Sequence, residues 1–359
     1  MFKLALGALF SWLFVVLPAS AVAAPDAAGI VASSKTHAVK KPRIVLRHRA
    51  MRGATASPEA RERMVKRVVQ VHGRRKVVYQ RVVHVGAPSL VQSMGDMAGL
   101  NLTRDPLDLK SSVALVLDQS NAEVLFEKNA NVALPIASIT KLMTGLIVVQ
   151  AHQDMDEILS VTDADVDREK FSTSRLKVGS QLTRSNMLHI ALMSSENRAA
   201  SALGRNYPGG LPGFVAAMNA KAHELGMADT RYVDANGLSK LNVASARDLA
   251  RLVMAAHQEP LLREYSTDQK YVVEASGRPM QFGNTNRLVT NPGWEIGLQK
   301  TGFINEAGRC LVMQAKIEGR AVIMVFLDSK GKQSRTADAG RMRKWLEAMK
   351  PASVSLPGG

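Results

Sequence analysis

The sequence predicts an α/β (α+β) fold: an antiparallel sheet flanked by helices, with an all-helical subdomain inserted between its strands. Three observations predict it. Two strand-like segments come first, at Ser112–Asp118 and Glu123–Glu127. Apolar helix-like segments fill the middle of the chain, and further strand-like segments followed by one helix close it. Strands on either side of a run of helices are typical of an antiparallel sheet with helices packed around it.

The elements follow in order along the chain. The first strand has the apolar centre Val113–Leu117, and a turn at Ser120-Asn121 returns the chain as its hairpin partner. Pro135 precedes a long helix, Ile139–Ala151, which is apolar on nearly all sides and is therefore predicted to be buried. Further helices are predicted at Asn186–Met193, Arg198–Asn206, Phe214–Leu225, and from a Ser245/Asp248 capping box to His257. Strands are predicted at Tyr271–Val273, Glu295–Thr301, Cys310–Ile317 and Ala321–Leu327, with a turn at Gly319-Arg320 and a closing helix at Arg335–Met349.

The positive charge of the chain is concentrated in one segment. The 359 residues carry a formal net charge of +16. Residues 31–90 hold 15 Lys or Arg and two Glu, whereas residues 91–359 hold 31 basic and 28 acidic side chains. A nucleic-acid-binding enzyme usually carries its charge on a folded face, so we expect no specific nucleic-acid partner. A hydrophobic content of 46% excludes disorder of the whole chain.

The N-terminus has the pattern of an export signal. Lys3 precedes an apolar run from Leu4 to Leu17, and the small residues Ala21-Val22-Ala23 form a cleavage site. A run of 14 residues is short for a membrane-spanning helix, which needs about 20. The sequence therefore predicts a signal peptide over residues 1–23, cleaved on export from the cytoplasm. An uncleaved membrane anchor is the alternative.

Residues 24–93 are predicted to be a basic, largely disordered linker. Within it, Glu59–Val71 could form a basic amphipathic helix and Arg75–Val85 a short strand. A sharper interpretation is an electrostatic tether to an anionic envelope surface, which salt would screen. A folded domain is expected over 94–350 and a flexible tail over 351–359. The single cysteine, Cys310, excludes an intramolecular disulfide and a cysteine-based zinc site.

The first candidate catalytic motif is Ser138–Lys141. On a helix, residues i and i+3 share a face, so the serine hydroxyl and the lysine amine can meet. Burial of the amine would lower its pKa and make it a base for the hydroxyl. Ser174–Lys177 and Ser329–Lys332 have the same spacing, but only Ser138 opens a long apolar helix. The alternative is a helix-capping serine beside a surface lysine.

The second motif is Ser195–Asn197, in the loop between two predicted helices. The hydroxyl of Ser195 could pass a proton to a leaving amine. The amide of Asn197 could orient a substrate carbonyl or the lysine. The alternative is a helix break in which Ser195 or Asn197 is the N-cap.

The third motif, Lys300–Gly302, ends a predicted strand. Lys300 and Thr301 suit recognition of a substrate carboxylate. Gly302 would let a substrate backbone approach closely. The next backbone N–H, that of Phe303, could pair with that of Ser138 as an oxyanion hole. The alternative is a turn at the end of a strand.

Together the three motifs resemble those of the penicillin-recognising serine enzymes, S-x-x-K, S-x-N and K-T-G, here separated by 57 and 105 residues. Pro135–Thr144 and Asp234–Asn242 are similar to segments of the low-molecular-mass penicillin-binding proteins of the serine DD-peptidase family. Lys300–Phe303 followed by Glu306–Val312 resembles the D-alanyl-D-alanine endopeptidase subgroup. The resemblance covers about residues 95–350.

The resemblance implies a DD-peptidase/serine β-lactamase-like fold and a mechanism. Ser138 would attack the carbonyl of a D-Ala residue in peptidoglycan, and Lys141 would accept its proton. The other implied roles are proton transfer to the departing amine by Ser195, carboxylate binding by Lys300 and Thr301, positioning of the acyl chain by Asn197, and an oxyanion hole at Ser138 and Phe303. β-Lactams would acylate Ser138 as inhibitors. No metal or organic cofactor is implied.

Several activities remain open at this point. Many carboxypeptidases of the family add a β-rich domain and a C-terminal amphipathic anchor. After Trp345–Lys350 only a short tail remains, so we expect an endopeptidase. A class A β-lactamase needs a deacylating Glu-x-x-Leu-Asn segment, whereas Glu259–Arg263 and Glu295–Gln299 both lack the Asn. The last alternative is a non-catalytic, cationic cell-wall-binding protein with a degenerate site.

Overall fold

A computed structural model of the chain describes residues 61–71, 74–84 and 92–349. The predicted signal peptide and tail lie outside the described residues. The chain divides into two units, Met1–Gly86 and Ala87–Gly359.

The described part of the first unit is an antiparallel hairpin of strands β1 (Arg61–Val71) and β2 (Arg74–His84). It lies inside the segment predicted to be a largely disordered linker. Over Arg61–Val71 the helix considered for Glu59–Val71 is therefore wrong, whereas the strand considered for Arg75–Val85 is present as far as His84. Four of the 11 residues of β1 are valine. Valine is restricted at χ1 and packs well on a pleated strand, which explains why the strand is preferred over a helix.

The second unit contains all the elements of the predicted folded domain. Its strands are β3 (Ser111–Asp118), β4 (Val124–Lys128), β5 (Leu134–Pro135), β6 (Ile158–Ser160), β7 (Gln181–Thr183), β8 (Val243–Ala244), β9 (Lys270–Ala275), β10 (Arg278–Gly283), β11 (Glu295–Ile304), β12 (Gly308–Ile317) and β13 (Arg320–Ser329). Its helices are α1 (Met94–Met97), α2 (Thr140–Gln150), α3 (Arg184–Met193), α4 (Asn197–Arg205), α5 (Gly210–Glu224), α6 (Ala246–Gln258), α7 (Pro260–Thr267) and α8 (Ser334–Ala348). Short 3₁₀ turns lie at Leu100–Leu102, Ala137–Ile139, Asp163–Asp165 and Arg287–Thr290.

Within residues 92–349 the main sheet is antiparallel, with the strand order β11-β12-β13-β3-β4. The first strand of the domain therefore pairs with the last, and the helical segment lies between them in sequence. This arrangement confirms the predicted fold class. The strand predicted at Tyr271–Val273 belongs instead to a separate ribbon formed by β9 and β10.

Helix α2 is the centre of the helical part. Its apolar side chains are buried in one large core together with those of α3, α4 and α6 and one face of the sheet. A second, smaller core on the other sheet face contains Ala339 and Met342 of α8. Because both faces of the sheet are covered, every residue of β3 is buried.

Helix α1 was not predicted, and two longer helices also differ from the prediction. Helix α5 begins at Gly210 rather than Phe214, because Gly209 adopts a left-handed N-cap conformation and Pro212 is tolerated in a first turn. Helix α7 was not predicted, although Pro260 at its first position is a recognised helix-start signal. No helix in the described residues is long and apolar enough to cross a membrane.

Candidate active site

Ser138 lies in the 3₁₀ turn Ala137–Ile139, immediately before α2 rather than inside it. Ala137 has a left-handed backbone, with φ of 48°, and its carbonyl accepts a hydrogen bond from Thr140 Oγ1 at 2.8 Å. Ala137 and Ile139 are fully buried, whereas Ser138 is partly exposed. The turn therefore presents one hydroxyl from an otherwise buried segment.

Lys141 brings the first two motifs together. Its Nζ lies 2.8 Å from Ser138 Oγ and donates hydrogen bonds to Asn197 Oδ1 at 2.7 Å and to the backbone carbonyl of Asn236 at 2.5 Å. The amide and carbonyl oxygens can only accept. The predicted meeting of amine and hydroxyl is thus present, and the amide of Asn197 contacts the lysine.

Burial controls the charge of this lysine. Lys141 is 1% exposed, and its desolvation lowers the pKa from 10.5 to about 7. The carboxylates of Asp234 and Glu196 oppose the shift by favouring the charged form. Near neutral pH a large fraction of the amine is therefore neutral and carries a lone pair.

Ser195 occupies the loop between α3 and α4, as predicted, with a left-handed φ of 62°. Its hydroxyl accepts a hydrogen bond from Lys300 Nζ at 2.9 Å, which connects the second motif to the third. Asn197 is the first residue of α4, and its Nδ2 donates to Ser172 Oγ at 3.0 Å. The N-cap is Glu196, so neither motif side chain is used to cap the helix.

Lys300 is fully buried on β11. Its amine also donates to the carbonyl of Thr301 at 2.9 Å. Burial places its pKa well below 10.5, and the nearby cations Lys141 and Arg335 lower it further. The hydroxyl of Thr301 lies 2.7 Å from that of Thr285.

Gly302 is needed where β11 passes the nucleophile turn. A Cβ at this position would lie 2.8 Å from the carbonyl oxygen of Ile136 and 3.2 Å from the backbone nitrogen of Ser138. The close approach is therefore made by the protein's own turn, whereas a substrate backbone had been expected. The next residue, Phe303, is 50% exposed, and the guanidinium of Arg309 lies 4.5 Å from its ring centroid.

The loop Asp234–Asn242 supplies a contact that sequence reasoning did not assign. It brings the carbonyl of Asn236 to Lys141, and Gly237 packs against the carbonyl of Ala137 with φ of 80°. The Asp234 carboxylate accepts hydrogen bonds from the backbone of Asn236, Gly237 and Ser239. The Asp-x-Asn-Gly sequence is a turn signal, so the loop's shape, although not its contact, was readable.

Two further contacts left no signal in the sequence. Ser172 accepts from Asn197, 25 residues away along the chain. Arg335, at the start of α8, donates to the carbonyls of Gly302 at 2.7 Å and Cys310 at 3.0 Å. Burial lowers the pKa of Arg335 to about 10. These side chains support the site from loops and helices that only the fold brings near.

The described residues show no group of His, Cys, Asp or Glu side chains that could hold a metal ion. Cys310 is buried beside the site strand, and burial raises the pKa of its thiol to about 12. A thiol with so high a pKa stays protonated and is a poor nucleophile. The nucleophilic and titratable groups that meet at this site are the serine hydroxyls and the two buried amines.

A profile of the D-alanyl-D-alanine carboxypeptidases, peptidase family S11, matches residues 101–331. The chain belongs to this family. A D-alanyl-D-alanine endopeptidase of Pseudomonas aeruginosa is 50% identical over 253 residues, which cover 70% of this chain and 80% of that protein. A D-alanyl-D-alanine endopeptidase of Escherichia coli K12 is 40% identical over 279 residues, covering 77% and 90%.

Solved structures agree with this family assignment. The Streptomyces K15 DD-transpeptidase matches with a TM-score of 0.64 and 25% identity, covering 69% of this chain and all of that one. Penicillin-binding protein D2 of Listeria monocytogenes, in a cefotaxime-bound form, matches with a TM-score of 0.60 and 29% identity, covering 67% and 98%. The predictions of a DD-peptidase-like fold and of a serine hydrolase of this family are confirmed.

Proposed function

We propose that this chain is a serine D-alanyl-D-alanine endopeptidase, which cleaves D-Ala cross-links in peptidoglycan through an acyl-enzyme on Ser138. The observation that carries the proposal is the position of Lys141 Nζ, within hydrogen-bond distance of both Ser138 Oγ and Asn197 Oδ1. The endopeptidases of two bacteria, similar over most of the chain, support the choice of bond.

Neutral Lys141 is the base in this mechanism. A neutral amine has two N–H groups and one lone pair. The oxygens of Asn197 and Asn236 are both acceptors, so they take the two N–H groups. The lone pair is then left for the Ser138 hydroxyl, which donates its proton to Nζ as Oγ attacks the D-Ala carbonyl carbon.

The backbone N–H groups of Ser138 and Phe303 receive the oxyanion. The contact of Gly302 with the Ser138 turn supports this pairing, because it brings β11 against the nucleophile. As the carbon–nitrogen bond breaks, Ser195 gives its proton to the departing amine. Lys300, which donates to Ser195 Oγ, replaces that proton.

The remaining roles concern binding and release. Lys300 and Thr301 hold a carboxylate near the scissile bond, and Asn197 positions the acyl chain. Lys141 then releases the proton taken from Ser138 to solvent and Lys300 takes one up from solvent, so both amines regain their starting charge. Water attacks the acyl-enzyme and gives one proton to neutral Lys141, which passes it to Ser138 Oγ as the ester bond breaks. β-Lactams have the reactive carbonyl and carboxylate of the substrate, so they acylate Ser138 and inhibit the enzyme.

Fluorescent penicillin tests the nucleophile. We expect covalent labelling of the wild-type chain and none of Ser138→Ala, because the substitution removes the attacking oxygen. Ser174→Ala, in the polar loop with the same Ser-x-x-Lys spacing, should be labelled like wild type. Labelling of Ser138→Ala at the wild-type rate would refute the assignment.

Carboxypeptidase activity is the second candidate, because the family profile is described by that activity. Digestion of purified muropeptides separates the two. An endopeptidase converts cross-linked dimers to monomers and leaves terminal D-Ala on uncross-linked pentapeptides. Release of D-Ala without loss of dimers would assign the chain to the carboxypeptidases.

We also propose export to the periplasm by a signal peptide cleaved after Ala23. The apolar run Leu4–Leu17 and the small residues before the cleavage site support it. Mass spectrometry of the protein from a periplasmic extract should find Ala24 at the N-terminus. A mature chain that retains Met1 would contradict cleavage.

The basic segment is proposed to bind an anionic envelope surface. In the β1–β2 register, Arg61, Arg63 and Arg67 fall in the same alternating set of positions as Arg74 and Lys76, and that set contains no acidic residue. Salt shortens the range of such attraction, because the Debye length is about 10 Å at 0.1 M and falls as ionic strength rises. Retention on anionic vesicles or isolated cell wall should therefore fall steeply between about 50 and 300 mM salt. Retention that does not change with salt would contradict the proposal.

A further inference from the structure

The loop Asp167–Ser172 is a compact structure built around one carboxylate. Asp167 Oδ1 accepts from the backbone N–H groups of Glu169 and Lys170, both at 2.9 Å, and Oδ2 accepts from that of Ser172 at 2.7 Å. Between Lys170 and Ser172, Phe171 has a left-handed φ of 52° and is 81% exposed. A bulky residue keeps this conformation only where its neighbours hold it.

Those neighbours contact opposite walls of the active-site cleft. Ser172 accepts from Asn197, which contacts Lys141 on the helical wall. Lys170 forms an ion pair with Glu306, in the turn between β11 and β12. The loop therefore connects the wall that holds the catalytic amine to the strand that carries Lys300.

The direction of a bound substrate places this ion pair on its acyl side. Strand β11 is at the edge of the sheet, so an extended peptide can add to it. With its carboxylate at Lys300 and Thr301, the peptide runs antiparallel to β11, and its acyl part passes Phe303 toward Glu306. At about 3.3 Å per residue, the Lys170–Glu306 ion pair lies two to three residues before the scissile bond.

We propose that the Lys170–Glu306 ion pair is a specificity determinant that bridges the cleft where the donor stem peptide passes. The proposal rests on the proposed endopeptidase function and names a residue pair that selects among its substrates. The two side chains are 29% and 27% exposed, so a substrate can reach them. The pair disfavours donors whose chain continues beyond the bridge.

A donor fixed in the cell wall cannot be threaded under a closed bridge, because its stem is attached to glycan on the acyl side. The ion pair must open before such a donor binds. A penicillin has an acyl side chain too short to reach the bridge. A partly exposed ion pair contributes little stability, so opening is accessible. Loss of the pair should therefore favour wall-attached donors over penicillin.

A charge-reversal cycle tests this selection. For each variant, two rates are measured: hydrolysis of cross-links in intact sacculi, and acylation by unlabelled benzylpenicillin, followed by mass spectrometry of the intact protein. We expect the ratio of sacculus hydrolysis to penicillin acylation to rise about three- to fivefold in Lys170→Glu and in Glu306→Lys. The double exchange, Lys170→Glu with Glu306→Lys, re-forms the pair with reversed charges and should return the ratio to the wild-type value.

The matched control lies at the other end of the same two strands. Lys316 and Glu295 form an ion pair at 4.0 Å, remote in register from Glu306, so Lys316→Glu should leave the ratio unchanged. A ratio that is unchanged or lowered in the single variants, or not restored by the double exchange, would overturn the inference. Failure of the wild-type chain to form any penicillin adduct would instead refute the proposed function.

Discussion

The two buried amines of the site have similar surroundings and differ in which serine hydroxyl each contacts. In the described residues, the hydrogen-bond partners of Lys141 and Lys300 are all neutral oxygens. Desolvation therefore dominates both pKa values and lowers them. Lys141 contacts the nucleophile, whereas Lys300 contacts Ser195. One amine is thus placed to remove a proton and the other to supply one.

The lowered pKa of Lys141 predicts the pH dependence of acylation. The reactive form is the neutral amine, so the rate of penicillin acylation should rise about tenfold per pH unit below the pKa and level off above about 7. Lys141→Arg stays charged at every working pH and should lower the rate by about 10² to 10⁴. Stopped-flow labelling between pH 5 and 9 measures both effects. A flat wild-type profile, or a rise centred near pH 10, would contradict this role.

Binding of a carboxylate should change the charge of Lys300. Its pKa in the free protein is held well below 10.5 by burial and by Lys141 and Arg335. A substrate carboxylate would raise it again, so protons should be taken up on binding at pH values between the pKa of the free protein and that of the complex. Calorimetric titration of Ser138→Ala with a D-Ala-D-Ala peptide, in two buffers of different ionisation enthalpy, measures this uptake. Proton uptake that persists in the double variant Ser138→Ala with Lys300→Gln would show that another group takes up the proton.

At the scale of elements, the nucleophile turn is fixed from two sides by glycines. Gly237 of the Asp234–Asn242 loop lies against the carbonyl of Ala137, and Gly302 of β11 lies against the turn from Ile136 to Ser138. A side chain at either glycine would push a neighbouring element away from the hydroxyl. The position of Ser138 therefore depends on a loop, a strand and a helix that are distant in sequence.

Gly237→Ala should separate steric overlap from backbone strain. Its Cβ would overlap the backbone oxygen of Ala137, and its φ of 80° is itself unfavourable for alanine. We expect a loss of about 2–4 kcal/mol in the free energy of unfolding and at least tenfold slower penicillin acylation. Urea denaturation and fluorescent labelling measure the two effects.

Gly277→Ala is the matched comparison. Gly277 has a similar φ of 71°, but no atom lies within 4 Å of the position that an alanine Cβ would take. The substitution should therefore cost only about 1–2 kcal/mol, from backbone strain alone, and leave acylation unchanged. If the two glycine variants behaved alike, packing against the nucleophile turn would not be what holds the loop.

At the scale of the whole molecule, the sequence predicted those site contacts that depend on a local pattern or on a known motif. The contact of Lys141 with Ser138 follows from helix periodicity, and that of Lys300 with Ser195, 105 residues apart, agrees with the family motifs. The partnership of Ser172 with Asn197 and that of Arg335 with Gly302 depend on tertiary packing of polar loops. No periodicity encodes such contacts, so they could not be predicted.

The hairpin β1–β2 lies in a segment that was predicted to be largely disordered. The basic composition of the segment favoured a disordered linker, although the valine content of β1 favours a strand. The antiparallel sheet, by contrast, was predicted from strands on both sides of a helical insert, although its strand order was not. The pairing of β13 with β3 joins the strands from the two sides of the insert.

The closing helix is joined to the first strand of that sheet by one buried carboxylate. Asp338 of α8 accepts from the backbone nitrogen of Ser111 at 2.8 Å, from its hydroxyl at 2.6 Å and from the backbone nitrogen of Lys110 at 3.1 Å, and it pairs with Arg341 at 2.6 Å. Asp338→Ala would leave the two N–H groups without this acceptor inside the protein. The cost of burying unpaired donors falls on folding rather than on the catalytic site.

We therefore expect Asp338→Ala to lower the free energy of unfolding by about 3 kcal/mol, while penicillin acylation, measured well below the unfolding temperature, stays within about twofold of wild type. Glu224→Ala removes a carboxylate on helix α5 that is 65% exposed and paired with Lys221, so it should leave stability at the wild-type value within the error of the measurement. Urea denaturation followed by tryptophan fluorescence measures both. If the two variants were equally stable, the N–H groups left unpaired by Asp338→Ala would cost no stability. The contact between α8 and β3 would then not stabilise the folded unit.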